Sequence, residues 1–192
     1  MALAKLALDG KFVRLEPLEE RHREPIRPAA QHPEIFAFFT PMLGPLYDPY
    51  IDNALKRSDG SLELAFAVLL KAENRCVGMT RYLNIDEAHK RLEIGSTWYE
   101  PSVWGGPVNP ECKLLLMRHA FETLKFHRVE YKTDARNARS RAAILKLGAT
   151  QEGIFRKHMI MADGHVRDSV YFSIVDTDWP AVKADLEKRL AA

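Results

Sequence analysis

Apolar and polar residues alternate from residue 6 to residue 18 and break at Asp9-Gly10, which predicts a short strand, a turn and a strand over residues 12–15. A hairpin or sheet edge opens the chain. Between residues 19 and 59 the apolar spacing becomes helical, but Pro25, Pro28, Pro33, Pro41, Pro45 and Pro49 interrupt it, so short helical pieces and bends are expected. Three strand-like runs follow, over Leu64–Leu70, residues 76–83 and residues 92–99, separated by the polar segments AENR and NIDEAHK. They read as an antiparallel meander.

Asn109 stands where an N-cap belongs and Pro110 at a first helical position, while Leu114, Met117, Phe121 and Leu124 recur at helical spacing, predicting a buried helix to about Phe126. Residues 129–133 form a strand. Asn137 opens a second helix, whose Ala142, Ile144 and Leu145 precede a left-handed stop at Gly148. Two extended segments, 152–161 and 166–175, flank Asp163-Gly164 as a hairpin, and an amphipathic helix over residues 179–190 closes the chain. The fold class is α+β, one domain over residues 1–192, with helices around a mixed, mostly antiparallel sheet.

Composition narrows the function classes. The 192 residues are 46% hydrophobic and 28% charged, with 10 Gly and 11 Pro, which fits a packed globular domain and excludes a disordered one. A net charge of +2 provides no general attraction to nucleic acid or an anionic membrane, and no window approaches the ~20 apolar residues of a span. Cys76 and Cys112 form no CxxC pair, and the seven histidines show no HExxH spacing, so a reducing cytoplasm and no metal are expected. The N-terminal apolar stretch is broken by Lys5, unlike a signal peptide.

The most informative local segment is PSVWGGPVNPE, residues 101–111, a Gly- and Pro-rich turn between a strand and a helix. Such a junction points backbone N–H groups and a helix N-terminus outward, which suits a phosphate; it also serves as a tight connection before a core helix.

In order along the chain, EIGSTWYEPSVWGGPVNPE, RVEYKTDARNARSRAAILKLGA and QEGIFRKHMIMADGHVRDSVYFSI resemble the GNAT acetyltransferases, in particular the RimJ/RimL-like branch. The most specific features are Trp104-Gly105 with Asn109 and Glu111, Asn137-Ala138-Arg139-Ser140, Leu147-Gly148, and Glu152-Gly153 followed by Arg156. The resemblance implies a GNAT-like sheet splayed at its fourth and fifth strands, and acetyl transfer from acetyl-CoA to a primary amine by direct attack in a ternary complex. A protein N-terminus, a polyamine or a small amine would be the acceptor, with no metal. Related enzymes often pair, so a homodimer is allowed.

Carried over residue by residue, the backbone near Trp98 and Tyr99 would hold the pantetheine arm and polarise the thioester carbonyl. Trp104, Gly105, Gly106, Val108 and Asn109 would meet the pyrophosphate. Here the sequence departs from the family's Q/R-x-x-G-x-G/A pattern, placing Trp104 first, Pro107 at the central glycine and Asn109 last, which removes one N–H donor. Asn137 and Ser140 would flank the sulfur, with Ser140 as the acid for the departing thiolate; Glu93 would be the base that helps deprotonate the amine. Glu111 at a helix start is better suited to capping.

Several residues keep two readings. Arg136, Arg139 and Arg141 either meet a cofactor phosphate or form a solvated face. Phe36, Phe38, Phe39, Tyr47 and Tyr50 either line an acceptor wall, with Glu34, Asp48 or Asp52 attracting an ammonium, or pack short helices onto the sheet. His119 is expected at the surface or in a partner contact, and Cys112 is not expected to be a nucleophile. The alternative function is a non-catalytic acyl-CoA-binding regulatory module, motivated by Pro107.

Overall fold

The computed structural model describes residues 3–39 and 44–191. Eight strands form one sheet in the order β1-β2-β3-β4-β5-β6-β8-β7. The strands are β1 (Leu8–Asp9), β2 (Val13–Pro17), β3 (Leu64–Leu70), β4 (Arg75–Asp86), β5 (Arg91–Tyr99), β6 (Arg128–Asp134), β7 (Thr150–Ile160) and β8 (Val166–Val175). All neighbours are antiparallel except β5 and β6. The helices are α1 (Arg23–Ile26), α2 (Tyr47–Arg57), α3 (Val108–Arg118), α4 (Ala138–Lys146) and α5 (Trp179–Ala191). The expected meander, crossover helices and terminal hairpin are all present. Because the two-residue β1 counts as a strand, the expected fourth and fifth strands are β5 and β6.

Strand alternation places the core on both faces of the sheet. Leu64, Phe66 and Val68 of β3 face α3 and α5, where Cys112, Leu116, Trp179 and Leu186 pack, while Ala65 and Ala67 face the N-terminal helices with Ile26, Tyr47 and Ile51. Burying these side chains is worth roughly 1.5–3 kcal/mol each for the larger ones. The proline-rich stretch is cut into single turns, at residues 20–22, 23–26, 27–30, 33–36 and 44–46, before α2. Pro41 lies outside the described residues.

Three local expectations are corrected. The helix after the Gly-Pro turn starts at Val108 with Pro107 as its N-cap, φ −75°, rather than at Pro110 behind an Asn109 cap. Proline's fixed φ is already helical, so the chain enters the helix there. Glu111 does not cap this helix. Its buried carboxylate accepts backbone N–H groups from Lys11, Phe12 and Val13, each at 2.7 Å, and thereby ties the β1–β2 turn to α3. His119 is buried rather than exposed, its ring stacked on Tyr82 with Nδ1 3.3 Å from the Tyr82 hydroxyl, and burial holds its pKa below the ordinary range. It begins a π turn over His119–Thr123, closed by the Leu124 N–H on the His119 carbonyl at 2.9 Å.

The second helix follows its prediction closely. The Asn137 side chain caps α4 by accepting the Ser140 N–H at 2.9 Å, and Gly148 adopts φ +92° beyond its end.

Candidate active site

The two parallel strands β5 and β6 pair only at Arg91↔Arg128, Leu92↔Val129 and Glu93↔Glu130, after which they diverge. Two features of β5 pull it away. Ser96 takes φ +46°, costly for a residue with a Cβ, and the β4–β5 register shifts between Met79 and Arg81. The gap becomes a cavity of about 310 Å³, within the usual size range for a small-molecule site. It runs through the sheet, from Ile35, Phe38 and Phe39 on the N-terminal side to Trp104, Asn109, Asn137 and Ser140 at the starts of α3 and α4.

The cavity wall contains seven of the nine residues proposed from sequence to bind the cofactor, namely Trp98, Tyr99, Trp104, Gly105, Asn109, Asn137 and Ser140. Gly106 and Val108 are not in it, and the Val108 side chain is buried in the core. The Trp98 indole is a packing group: it donates to the Tyr50 hydroxyl at 3.3 Å and meets the Phe36 ring edge-on at 6.0 Å. Trp104, the first of the three departures from the family pattern, donates its indole N–H to the Tyr99 carbonyl at 2.9 Å, while the Arg139 guanidinium lies 3.8 Å over its ring. Tryptophan thus anchors the loop to the end of β5 and holds one cation at the mouth. Gly105 has φ +76° with open space where a Cβ would stand.

The other two arginines of the basic cluster turn elsewhere. Arg136 pairs with Asp134 at 2.9 Å, and Arg141 donates to the Ala135 carbonyl at 3.3 Å.

Glu93 lies behind the wall rather than in it. Its Oε2 accepts from Asn84 Nδ2 at 2.9 Å and from Lys132 Nζ at 3.3 Å, and Lys132 lines the cavity. Burial outweighs the Lys132 charge and these hydrogen bonds, pushing the carboxyl above its ordinary range, closer to the pKa a base near neutral pH needs. Ser140 is half-buried at the wall, its backbone N–H committed to Asn137.

The acids expected to attract an ammonium are already taken, which corrects that expectation. Asp48 is held by Arg23 at 3.2 Å and Arg27 at 2.9 Å, and Asp52 by Arg23 at 2.6 Å; neither they nor Glu34 line the cavity. Of the five aromatic rings, Phe38 and Phe39 do line it, whereas Phe36 and Tyr47 are core and Tyr50 is tied to Trp98. Cys112 is buried, and its thiol is pushed up to about 12 by burial, the opposite of a reactive thiolate.

Three of the four cations in the wall, Lys113, Lys132 and Arg167, were not singled out from the sequence, and two of them are buried. Lys113 of α3 is buried, donates to Thr97 Oγ1 at 2.8 Å, and burial lowers its pKa to about 8. Arg167 of β8 is the other. A lysine three residues past a proline, or an arginine in a strand, looks like any solvent-facing residue in sequence, and only the divergence of β5 and β6 puts both indoors.

These residues fit an acyl-CoA. A cavity crosses the sheet where strand backbone is left without a neighbouring strand, the buried Tyr131 hydroxyl in its wall has no hydrogen-bond partner among the described residues, and Arg139 stands at the helix-start end. Among the described residues no cluster of metal-ligating side chains occurs, and no helix is long and apolar enough to cross a membrane.

Comparison with known proteins agrees with this geometry. The acetyltransferase (GNAT) domain family matches residues 13–150. A curated relative, named "Putative ribosomal N-acetyltransferase YdaF" from Bacillus subtilis (strain 168), is 31% identical over 107 residues, which covers 55% of this chain and 57% of that protein. The chain thus spans little more than half the length of that relative. A GCN5-related N-acetyltransferase from Brucella melitensis superposes with a TM-score of 0.92 at 32% identity, over 99% of this chain and 87% of that one. An acetyltransferase structure from T. thermophilus superposes with a TM-score of 0.88 at 34% identity, over 99% and 100%. With its strands splayed at β5 and β6 and a cofactor-sized cavity at the starts of α3 and α4, the chain belongs to the acetyltransferase (GNAT) domain family.

Proposed function

We propose that residues 1–192 act as one N-acetyltransferase domain of the RimJ/RimL-like branch. It transfers the acetyl group of acetyl-CoA to a primary amine by direct attack in a ternary complex, a protein N-terminus, a polyamine or a small amine being the acceptor. The observation that carries this is the cavity through the sheet, which lets two ligands enter from opposite faces and meet between β5 and β6. The name of the Bacillus relative supports an α-amine acceptor. Cytoplasmic location and pairing of two copies belong to the same reading, supported by the free cysteines Cys76 and Cys112 and by exposed Ile154, Phe155 and Ile160 on edge strand β7.

Acetyl-CoA supplies the activated acyl group. Backbone N–H groups of β5 between Ser96 and Tyr99 orient its arm and meet the charge that grows on the thioester oxygen, while Trp104, Gly105 and Asn109 with Arg139 hold the phosphate end. Glu93, through Lys132 or a water, takes the proton of the incoming amine, and the Ser140 hydroxyl returns one to the sulfur.

Acetyl-CoA at ~100 times its Kd should raise the unfolding free energy by about 2.7 kcal/mol. Turnover with a panel of amines then decides the chemistry: tight binding without acetylation of any amine identifies a non-catalytic acyl-CoA-binding module instead. Glu93→Gln should remove the acidic limb of the pH–rate profile and Ser140→Ala should lower kcat with little change in acetyl-CoA affinity, each by ~10²-fold for a direct role. Full activity of both variants from about pH 6 to 9 would reassign the proton path.

A further inference from the structure

The cavity wall carries four cations, Lys113, Lys132, Arg139 and Arg167, and no carboxylate. Three have partners already described: Lys113 rests on Thr97, Lys132 on Glu93, and Arg139 on the Trp104 ring. Arg167 has none. The residue is 9% exposed, its buried Nε has no hydrogen-bond partner, and among the described residues its guanidinium forms no ion pair.

The nearby acids act on it only through space: the charges of Asp134 and Glu93 offset part of its burial cost, and neither pairs with it directly. Asp134 gives its carboxylate oxygens to Arg136 at 2.9 and 3.2 Å, and Glu93 is shared by Lys132 and Asn84. One buried cation of β8 is therefore left without a bonded partner in the wall it shares with Lys132. Keeping a guanidinium out of water without a bonded counter-ion is costly, and a fork of N–H donors facing a cavity is matched by a planar anion. The same field is felt next door: the His158 imidazole is held below its ordinary range by burial and then by the Lys132 and Arg167 charges.

Resting on the acetyltransferase reading, we propose that Arg167, with Lys132 in the same wall, binds an anionic group carried by the acceptor, so that the substrate is an amine bearing a carboxylate or phosphate a few bonds from its nitrogen. Alternation along β8 puts Arg167 on the sheet face of Lys132 and Tyr171, opposite the Val170 and Phe172 face that packs with α3. Arg167 is on β8, beyond β6, whereas Arg139 and Trp104 hold the α3 and α4 end, so a separate cation is available for each ligand. A polyamine, cationic throughout, would meet like charges along this wall. The anion can belong to a free amino acid or aminoalkyl phosphate, or to an acidic side chain next to a peptide's N-terminal amine.

Calorimetric titration of the CoA-loaded protein tests this with matched probes: β-alanine and β-alaninamide, aminoethyl phosphate, spermidine, and short peptides beginning Ser-Asp or Ser-Asn. Native protein should favour the anionic member of each pair by about tenfold or more; Arg167→Gln should weaken the anionic probes by roughly 10–100-fold and leave the neutral ones unchanged, with Arg167→Lys in between. Preference for the free compounds over the Ser-Asp peptide, or the reverse, identifies the source of the anion. Equal or tighter binding of β-alaninamide or spermidine, or a charge preference that survives in Arg167→Gln, overturns the proposal. Acetylation is followed in parallel samples with acetyl-CoA in place of CoA: bound acceptors that are never acetylated count against acetyl transfer and leave anion recognition standing. Replacing Arg167 removes a buried unpaired charge, so the variant should melt no lower than the native protein, and a melting curve checks this.

Discussion

Glu111→Ala should lower the unfolding free energy by roughly 3–5 kcal/mol, an effect on the scale of the whole stability of many domains. The carboxylate of Glu111 is buried and accepts three backbone N–H groups at 2.7 Å, one of them from Val13, which is fully buried in the core. Removing it leaves all three donors without their acceptor, the Val13 N–H in the buried core. Glutamine is a poor substitute, because its amide NH₂ points donors at donors. The space is also tight from the other side: a Cβ on Gly10 would stand 2.6 Å from the Glu111 carboxyl carbon, so Gly10→Ala should destabilise through the same contact. Urea unfolding measures both, and hydrogen exchange at Lys11, Phe12 and Val13 should accelerate first. A loss below about 1 kcal/mol in Glu111→Ala would mean that water replaces the carboxylate.

The second large effect has the opposite sign. Lys113→Met should stabilise the protein near pH 7 by up to roughly 3 kcal/mol, the free energy corresponding to a lysine lowered from 10.5 to about 8 by burial. Below pH 8 the folded chain carries this ammonium out of water, at full cost. Between pH 8 and 10.5 the unfolded chain holds a proton that the folded chain has released, so native stability rises with pH across that window. The methionine variant lacks this contribution, and the difference between the two proteins should shrink toward zero as pH 10.5 is approached. Parallel melts from pH 7 to about pH 10 measure the difference directly, free of other titrating groups common to both. A constant difference would show that Lys113 is paired or hydrated in solution. The methionine fills nearly the same volume, so packing against Tyr131 is retained while the bond to Thr97 is lost.

Elements whose signals are local were legible in the sequence. Strands β3 to β5 and the β7–β8 hairpin show as alternation between turn residues, and α4 shows as Asn137 at its cap and Gly148 past its end, because backbone dihedrals and near-neighbour hydrogen bonds are set within a few residues. The start of α3 was misplaced by two residues for the same local reason: Pro107 and Pro110 both suit a helix start, and sequence spacing does not choose between them. Seven of the nine cofactor-binding positions carried over from the family resemblance do line the cavity, since they fall in two short segments, the end of β5 with its loop and the α4 cap.

What alternation and capping do not encode is which side chains meet across the fold. Glu111 looked like a helix-start carboxylate until the β1–β2 turn, a hundred residues earlier, was seen to donate to it. His119 became a buried partner of Tyr82 only once β4 lay under α3. The divergence of β5 from β6 rests on one strained residue, Ser96, and a register shift opposite β4, neither of which has a signature in composition. That divergence brings Lys113 and Arg167 into one cavity and leaves Glu93 behind Lys132. Order of elements and their caps were determined by the sequence through short-range sterics; the charge of the site was decided by tertiary contacts, because a lysine or arginine differs from its surface equivalents only in what surrounds it.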